Sequence, residues 1–228
     1  TPLYSSAASD VYKRQDWRGL WRERLDAARP FAVEWLRHPR RDAYWRHGSV
    51  CEDYAAIACP VWAVGGWADA YTNAVGRLLE NLRVPRRGLV GPWGHLYPHE
   101  GAPGPAIGFL QEALDWWEAC LRGGANSPDE EPLLRAWMPY GDAPVGARGE
   151  RAGRWVAETA WPSPRIESRR MALGAGGLGD TRGGEAARSI RSPASTGAAS
   201  GAWCAFGPDG LPQDQRRDDA RSLCFDSP

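Results

Sequence analysis

GGWADAY at residues 65–71 and GPWGH at residues 91–95 are the two stretches that decide the fold of this chain. Each ends an apolar run with a turn that presents one polar side chain, Asp69 in the first and His95 in the second. Apolar runs of this length suit buried parallel strands. Because the carboxyl ends of parallel strands meet at one edge of a sheet, the pattern predicts that Asp69 and His95 lie on the same rim.

An acid followed 26 residues later by a histidine matches the last two members of a Ser-Asp-His triad in the chain order of α/β-hydrolases. The nucleophile of such a triad comes first, on a sharp G-x-S-x-G turn between a strand and a helix. No G-x-S-x-G occurs in the 228 residues. We therefore expect the chain to carry the acid–base half of a hydrolytic site. By itself it should be inactive, because loss of a triad serine costs on the order of 10⁶-fold in turnover.

The hydrophobic pattern around these turns predicts alternating helices and strands. The strand before Asp69 should begin late in its apolar run, because Pro60 cannot donate to a sheet ladder. The predicted elements are helices at 16–25 and 31–36 that form a cap segment, a strand at 57–64, a helix at 71–82, a strand at 87–90 and a helix at 105–121. On the last helix, the face predicted to be buried comprises Ile107, Leu110, Leu114, Trp117 and Leu121.

The hydrophobic pattern of the sequence changes after a stretch rich in Ser, Pro, Asp and Glu at 125–132. Beyond it we predict short strands at 133–138 and 154–157 and a long loop at 174–202. The fold class is therefore α/β, with the C-terminal part of an α/β-hydrolase domain at 16–127 and a truncated β-rich domain at 128–228.

Both ends of the chain look abrupt. There is no initiator Met, and residues 3–15 resemble a translated sequencing-adaptor tail, so residues 1–15 are set aside as a non-native segment. At the other end, Ser222 to Asp226 begins like a strand just before the chain stops at Pro228. We expect the sequence to be a piece of a longer enzyme.

Composition rules out little, but it does not suggest some classes of partner. With 28 basic and 28 acidic residues the formal charge is zero, which argues against nucleic acid and polyanionic ligands. No apolar stretch approaches the roughly 18 residues needed to span a membrane, and no secretory signal is evident, so a cytoplasmic location is expected. Most of the 13 tryptophans are interpreted as core and domain-interface filler.

Metal and nucleotide sites find little support in the sequence motifs. The five cysteines form no C-x-x-C pair and are expected to be buried free thiols. His95 and His99 have zinc-binding spacing, but Pro98 between them forbids the helix that such a pair needs. The G-x-G-x-x-G at 174–179 neither follows a convincing strand nor opens a helix. We therefore expect no metal and no cofactor. His38 and His47 lie in an Arg-rich segment that is interpreted as a solvated or interface face.

At residues 65–73, 91–95 and 104–117 the sequence resembles the CocE/NonD hydrolases, the group that includes cocaine esterase and Xaa-Pro dipeptidyl-peptidases. The shared pattern is an apolar strand, G-G-W-x-D-x-Y, a helix, a basic strand, G-P-W-x-H and a helix with paired aromatics before a β-sandwich. The resemblance extends from about residue 42 to 161, and more loosely over 218–223. It is specific because several motifs agree in order and spacing.

The resemblance implies an α/β-hydrolase with a helical cap and a C-terminal jelly-roll domain. It also implies that Asp69 is the triad acid and His95 the general base. The family's serine and its oxyanion-hole donors match no residue here. The expected substrate is a small-molecule ester or peptide, cleaved with dipeptidyl-peptidase-like or esterase specificity.

A second hypothesis assigns the chain to a different class. In it the Trp-rich β domain is a non-enzymatic module that binds a carbohydrate or a partner chain, and residues 42–124 are scaffold. Glycan binding by residues 128–228 would favour this hypothesis, whereas an in-frame upstream G-x-S-x-G would favour the hydrolase. The sequence leaves homo-oligomerisation open.

Overall fold

The computed structural model describes residues 17–123, 132–141, 143, 149–174, 177–180, 188–207 and 210–227. The adaptor-like segment and most of the predicted linker lie outside these residues. The chain forms two compact units, Thr1–Asp53 and Tyr54–Pro228.

The first unit is helical, as predicted. Its helices are α1 (Trp17–Ala27), α2 (Phe31–Arg37) and α3 (Ala43–His47), followed by a 3-10 turn at Val50–Glu52. Asp42 caps α3 by accepting a hydrogen bond from the Tyr44 N–H, and His38 lies between Glu34 and Asp42. Hydrogen bonds from Arg37 and His38 lower the pKa of Glu34, and a hydrogen bond from His38 lowers the pKa of Asp42. The hydrogen bond to Asp42 in turn raises the pKa of His38. The arginines of this segment are exposed, which agrees with the predicted solvated face.

A four-stranded mixed sheet organises the second unit. Its strands are β1 (Val61–Gly66), β2 (Arg86–Gly91), β3 (Leu134–Pro139) and β4 (Gly153–Glu158), in that spatial order. The first three strands run parallel and β4 is antiparallel to β3. β1 begins directly after Pro60, as predicted. Gly66 lies opposite Gly91 in the register, so β1 and β2 end side by side.

Helices cover both faces of this sheet. On one face α4 (Thr72–Asn81) buries Val75 and Leu79 against a core that includes Ala63, Val90, Leu134 and Ala136. On the other face, α5 (Phe109–Arg122) places Phe109 and Trp116 beside Trp62 of β1. The guanidinium of Arg87 lies over the rings of Trp62 and Trp116, and burial lowers its pKa. Successive side chains of the strands therefore point to opposite faces of the sheet, as the two-residue period of a strand requires.

Helix α5 departs from the prediction in both its first residue and its buried face. It begins at Phe109, and the segment before it is held by hydrogen bonds outside the helix: the Ile107 N–H donates to the Pro98 carbonyl, and Trp93 Nε1 donates to the Pro105 carbonyl. Trp116 is buried, whereas four of the five residues predicted to face inward are exposed: Leu110, Leu114, Trp117 and Leu121. The helix ends at Gly123, whose φ of 66° is the left-handed conformation that favours glycine at a C-terminus.

The C-terminal part contains less regular structure than predicted. Strands β3 and β4 confirm the two short β runs, but β3 pairs with β2, so one sheet continues across the boundary predicted near residue 128. The predicted loop at 174–202 begins within a two-stranded hairpin, β5 (Ala172–Gly174) with β6 (Gly177–Gly179), and contains a 3-10 turn at Ala198–Ser200. A short helix, α6, spans Arg216–Asp219. The strand expected at 222–226 is wrong: those residues are irregular, and Asp226 contributes only a carbonyl that accepts from the Leu178 N–H.

Two predictions about side-chain burial are also wrong. Seven of the 13 tryptophans are exposed: Trp17, Trp21, Trp35, Trp45, Trp67, Trp117 and Trp203. None of the five cysteines is buried, although all five are free thiols. Most tryptophans are expected in a core or a domain interface and the cysteines in a core, whereas the described fold buries only Trp93, Trp116 and Trp137 among them. Within the residues that the structure describes, no helix is long and apolar enough to cross a membrane.

Candidate active site

Two turns at the end of the parallel strands are joined directly to each other. The Trp67 N–H donates to the Gly91 carbonyl at 2.8 Å, and the Ala68 N–H donates to the Trp93 carbonyl at 3.0 Å. A Cβ on Gly66 would lie 2.0 Å from the Trp93 carbonyl oxygen, so only glycine allows the turns to approach this closely. The shared register of β1 and β2 thus continues into the turns that carry Asp69 and His95.

Both carboxylate oxygens of Asp69 are oriented by hydrogen bonds. Oδ1 accepts from the Tyr71 N–H at 2.9 Å, which closes an Asx turn, and Oδ2 lies 3.0 Å from His95 Nδ1. Thr72 Oγ1 donates to the Asp69 and Gly66 carbonyls and so holds the backbone of the turn. The Asp69 side chain is only 9% exposed, which limits competition from water for the histidine.

The imidazole of His95 contacts Asp69 through Nδ1, and part of the ring is open to solvent. Its backbone N–H donates to the Ala205 carbonyl at 2.7 Å, and its ring packs against Tyr71 and edge-on to Phe206. A carboxylate can only accept, so its bond to Nδ1 selects the tautomer in which Nδ1 carries the hydrogen and Nε2 has a free lone pair. The imidazole is 41% exposed, so a reacting group can reach it. The structure therefore brings the predicted pair together, with the imidazole partly exposed to solvent.

A segment that sequence reasoning missed lies over this pair. We call residues 198–207 and 210–213 the cover segment. Within it, Trp203 packs edge-on to Tyr71 at 5.3 Å and Cys204 approaches both Asp69 and His95. Burial and the charge of Asp69 raise the pKa of the Cys204 thiol. No sequence signal could have found this contact, because the segment is rich in Gly, Ala and Ser and lies more than 100 residues away.

An open cavity of about 410 Å³ lies beside the acid. It runs between the turn after β1 and the cover segment. Its lining includes Trp67, Asp69, Ser200, Gly201, Trp203 and Pro212. The two indoles give this cavity apolar walls next to the polar pair, a combination typical of small-molecule sites.

The other motifs singled out from the sequence lie elsewhere. The ring of His99 is parallel to that of Phe109, the first residue of α5, with 6.3 Å between the ring centroids. The first glycine of the G-x-G-x-x-G falls on β5 and its last three residues form β6, whereas residues 175 and 176 lie outside the described residues. His38 is part of the first unit.

Comparison with known proteins identifies two matching family models. Residues 4–97 match the model of the X-Pro dipeptidyl-peptidase (S15 family), and residues 126–228 match that of the X-Pro dipeptidyl-peptidase C-terminal non-catalytic domain. The first match begins within the segment set aside above and ends two residues after His95. No curated protein matches the sequence.

Two crystal structures of a CocE/NonD family hydrolase from Staphylococcus aureus resemble this chain. Their sequence identities are 15% and 13%, and their TM-scores are 0.47 and 0.44. Each comparison covers 67% of this chain and 26% of the other, so the chain spans about a quarter of the length of these hydrolases.

Proposed function

The chain belongs to the X-Pro dipeptidyl-peptidase and CocE/NonD hydrolase family, and from this premise we propose that Asp69 and His95 are the acid and general base of a Ser-Asp-His triad. The single observation that carries the proposal is the 3.0 Å contact between Asp69 Oδ2 and His95 Nδ1. The serine would come from sequence outside this chain. We expect the chain alone to be inactive.

The roles of the two residues follow from their geometry. His95 Nε2 takes the proton of the serine as the hydroxyl oxygen attacks the substrate carbonyl, and then gives that proton to the departing alcohol or amine. Water next attacks the acyl-enzyme by the same route, and His95 returns its proton to the serine. Asp69 stays ionised throughout, holds the Nδ1–H tautomer and stabilises the imidazolium that forms in each half-reaction.

The substrate class is proposed to be a small ester or amide with an apolar acyl side. The cavity beside Asp69 supports this choice, because its indole walls favour an uncharged group and the chain has no net charge to attract a polyanion. The prolyl residue of a dipeptidyl group and an aromatic acyl group of an ester both fit this description. The jelly-roll architecture of residues 128–228 remains a prediction.

The alternative function, a non-enzymatic binding module, concerns a different part of the chain. The match to a non-catalytic domain model covers residues 126–228, whereas Asp69 and His95 lie within the other match. The two hypotheses are therefore separable by experiment. Glycan binding by the full chain that survives His95→Gln would support a binding role for the C-terminal part.

The test of the proposed function uses two proteins. The first is the chain itself, for which we expect no hydrolysis of p-nitrophenyl esters or X-Pro-p-nitroanilides above the background of a free imidazole. The second is a longer reading frame that adds an upstream G-x-S-x-G to this chain. In it, His95→Gln should abolish turnover, whereas the matched change His99→Gln should not. Serine-type ester hydrolysis by the chain alone, or an active His95→Gln enzyme, would refute the proposal.

A further inference from the structure

Cys204 completes a cluster of three metal-ligating side chains with Asp69 and His95. One carboxylate oxygen, one imidazole nitrogen and the Cys204 sulfur all lie within 4.8 Å of one another. Among the residues that the structure describes, no other group of three or more His, Cys, Asp and Glu side chains comes together in this way. Since 135 residues separate Asp69 from Cys204, the fold and not a local motif assembles the cluster.

The spacing of the donor atoms suits a tetrahedral ion. Two nitrogen or oxygen ligands about 2.0–2.1 Å from zinc lie roughly 3.3 Å apart at a tetrahedral angle, and a sulfur at about 2.3 Å lies roughly 3.5 Å from each of them. Asp69 Oδ2 and His95 Nδ1 are 3.0 Å apart. The sulfur lies within 4.8 Å of one carboxylate oxygen and one imidazole nitrogen, so it needs to approach them by at most roughly 1.3 Å to complete the site.

The backbone around Cys204 is anchored on both sides. The Ala205 carbonyl accepts from the His95 N–H at 2.7 Å, and the Ala202 N–H donates to the Gly210 carbonyl at 2.8 Å. Further along, the Gln213 N–H donates to the Ala199 carbonyl at 2.8 Å. Gly201 has a φ of 83°, and a Cβ there would lie 2.5 Å from the Gly210 carbonyl oxygen. These bonds hold the thiol beside the pair, so little ordering is needed when an ion binds.

The donor set selects the kind of ion. A thiolate, an imidazole and a carboxylate suit zinc and the chemically similar cobalt(II), whereas magnesium and calcium prefer oxygen ligands alone. Three protein ligands leave the fourth tetrahedral position for water or a small anion. The exposed edge of His95 and the cavity beside Asp69 place that position within reach of solvent.

We propose that Asp69, His95 and Cys204 form a binding site for a zinc-type divalent cation. On binding, the Cys204 thiol releases its proton to solvent, and the ligating imidazole nitrogen gives up any hydrogen it carries. The ion then occupies the carboxylate and the imidazole that the triad needs, so metal binding and general-base catalysis exclude each other. Metal binding itself does not require the proposed hydrolase function. This proposal departs from the expectation, drawn from the cysteine and histidine spacing, that the chain binds no metal.

Cobalt(II) titration of the full chain tests the proposal, because a cysteine thiolate bound to cobalt adds a charge-transfer absorption that oxygen and nitrogen ligands do not give. We expect one cobalt ion per chain, displaced by one equivalent of zinc. Cys204→Ser should remove the thiolate band and weaken binding by at least about 100-fold, since loss of an outer-shell partner alone costs 10–100-fold. The matched change Cys120→Ser, at another half-buried cysteine, should leave both unchanged.

Cobalt binding by His95→Gln is a second test of the proposal, with His99→Gln as its control. The expected result is weakened binding in the first variant only, with both variants showing the denaturation midpoint of the parent chain. No stoichiometric binding by the parent chain would overturn the proposal, as would a thiolate band that persists in Cys204→Ser. The outcome is independent of the triad hypothesis, because the readout is absorption and not hydrolysis.

Discussion

Asp69 Oδ2 lies 3.0 Å from His95 Nδ1 because Gly66 and Gly91, the last residues of two neighbouring parallel strands, are paired in register. Asp69 follows the end of its strand by three residues and His95 by four, and the two side chains meet between the turns. The contact is therefore a consequence of strand register. Any change that shifts the register or separates the turns should be detected at this hydrogen bond.

Asp69→Asn should change the tautomer of His95. An asparagine amide can donate to Nδ1, which would leave the hydrogen on Nε2 and remove the lone pair that a general base needs. We expect the ¹⁵N shifts of the His95 ring to exchange between the two nitrogens in the full chain. In a longer, active protein the same change should lower kcat by about 10⁴-fold. Asp115→Asn, on the exposed surface of α5, is the control, and an unchanged tautomer in Asp69→Asn would contradict the assignment.

Gly66→Ala should separate the two turns. The added Cβ would meet the Trp93 carbonyl oxygen at 2.0 Å, and that carbonyl also accepts the Ala68 N–H. Because the obstacle is backbone, the turn must move, and the Asp69–His95 bond should lengthen or break. Loss of the Nδ1–H signal of His95 and a lower unfolding midpoint are expected. Gly108→Ala, where a Cβ meets nothing within 4 Å, should show neither effect.

The sequence predicted the parts of this site that depend on local patterns. The apolar runs, Pro60 and the two glycine-rich turns sufficed to predict two adjacent parallel strands and the meeting of Asp69 with His95. Hydrophobic spacing failed on α5 because the helix has two apolar faces: Leu110 and Leu114 lie on one and are exposed, whereas Trp116 lies on the other and is buried. Cys204 could not be predicted at all, since its position depends on where an irregular segment returns to the sheet.

Leu79→Ala should destabilise the second unit strongly. Leu79 is 1% exposed in the core between α4 and the sheet, so its truncation leaves a cavity and should cost about 2–5 kcal/mol of unfolding free energy. Leu121→Ala is a matched control on α5, where the side chain is 74% exposed, and it should change stability by about 0.5 kcal/mol or less. Urea denaturation monitored by tryptophan fluorescence measures both. Equal effects would show that α4 does not pack on the sheet as described.

Asp214 and Arg216 should produce a stability contribution that is lost only at very low pH. Both Asp214 oxygens bond the Arg216 guanidinium, and Oδ1 also accepts the Arg216 N–H at 3.1 Å. These bonds lower the pKa of Asp214 to about 2, below the roughly 3.9 of an unfolded aspartate. Since the folded pKa is the lower one, the contribution is complete above about pH 4 and disappears as the pH falls through 2. The pair is solvent-exposed, so the effect on stability should be small and should weaken with added salt.

A carboxyl titration followed by NMR tests this pair directly. The Asp214 midpoint should lie near 2 in the parent chain and rise toward 3.9 in Arg216→Gln, because the guanidinium hydrogen bonds are its largest cause. Arg217→Gln removes the same charge one residue away and should leave the midpoint almost unchanged, since no hydrogen bond joins that side chain to Asp214 in the described residues. Equal shifts in the two variants would mean that net charge, and not the paired geometry, sets the acidity of Asp214.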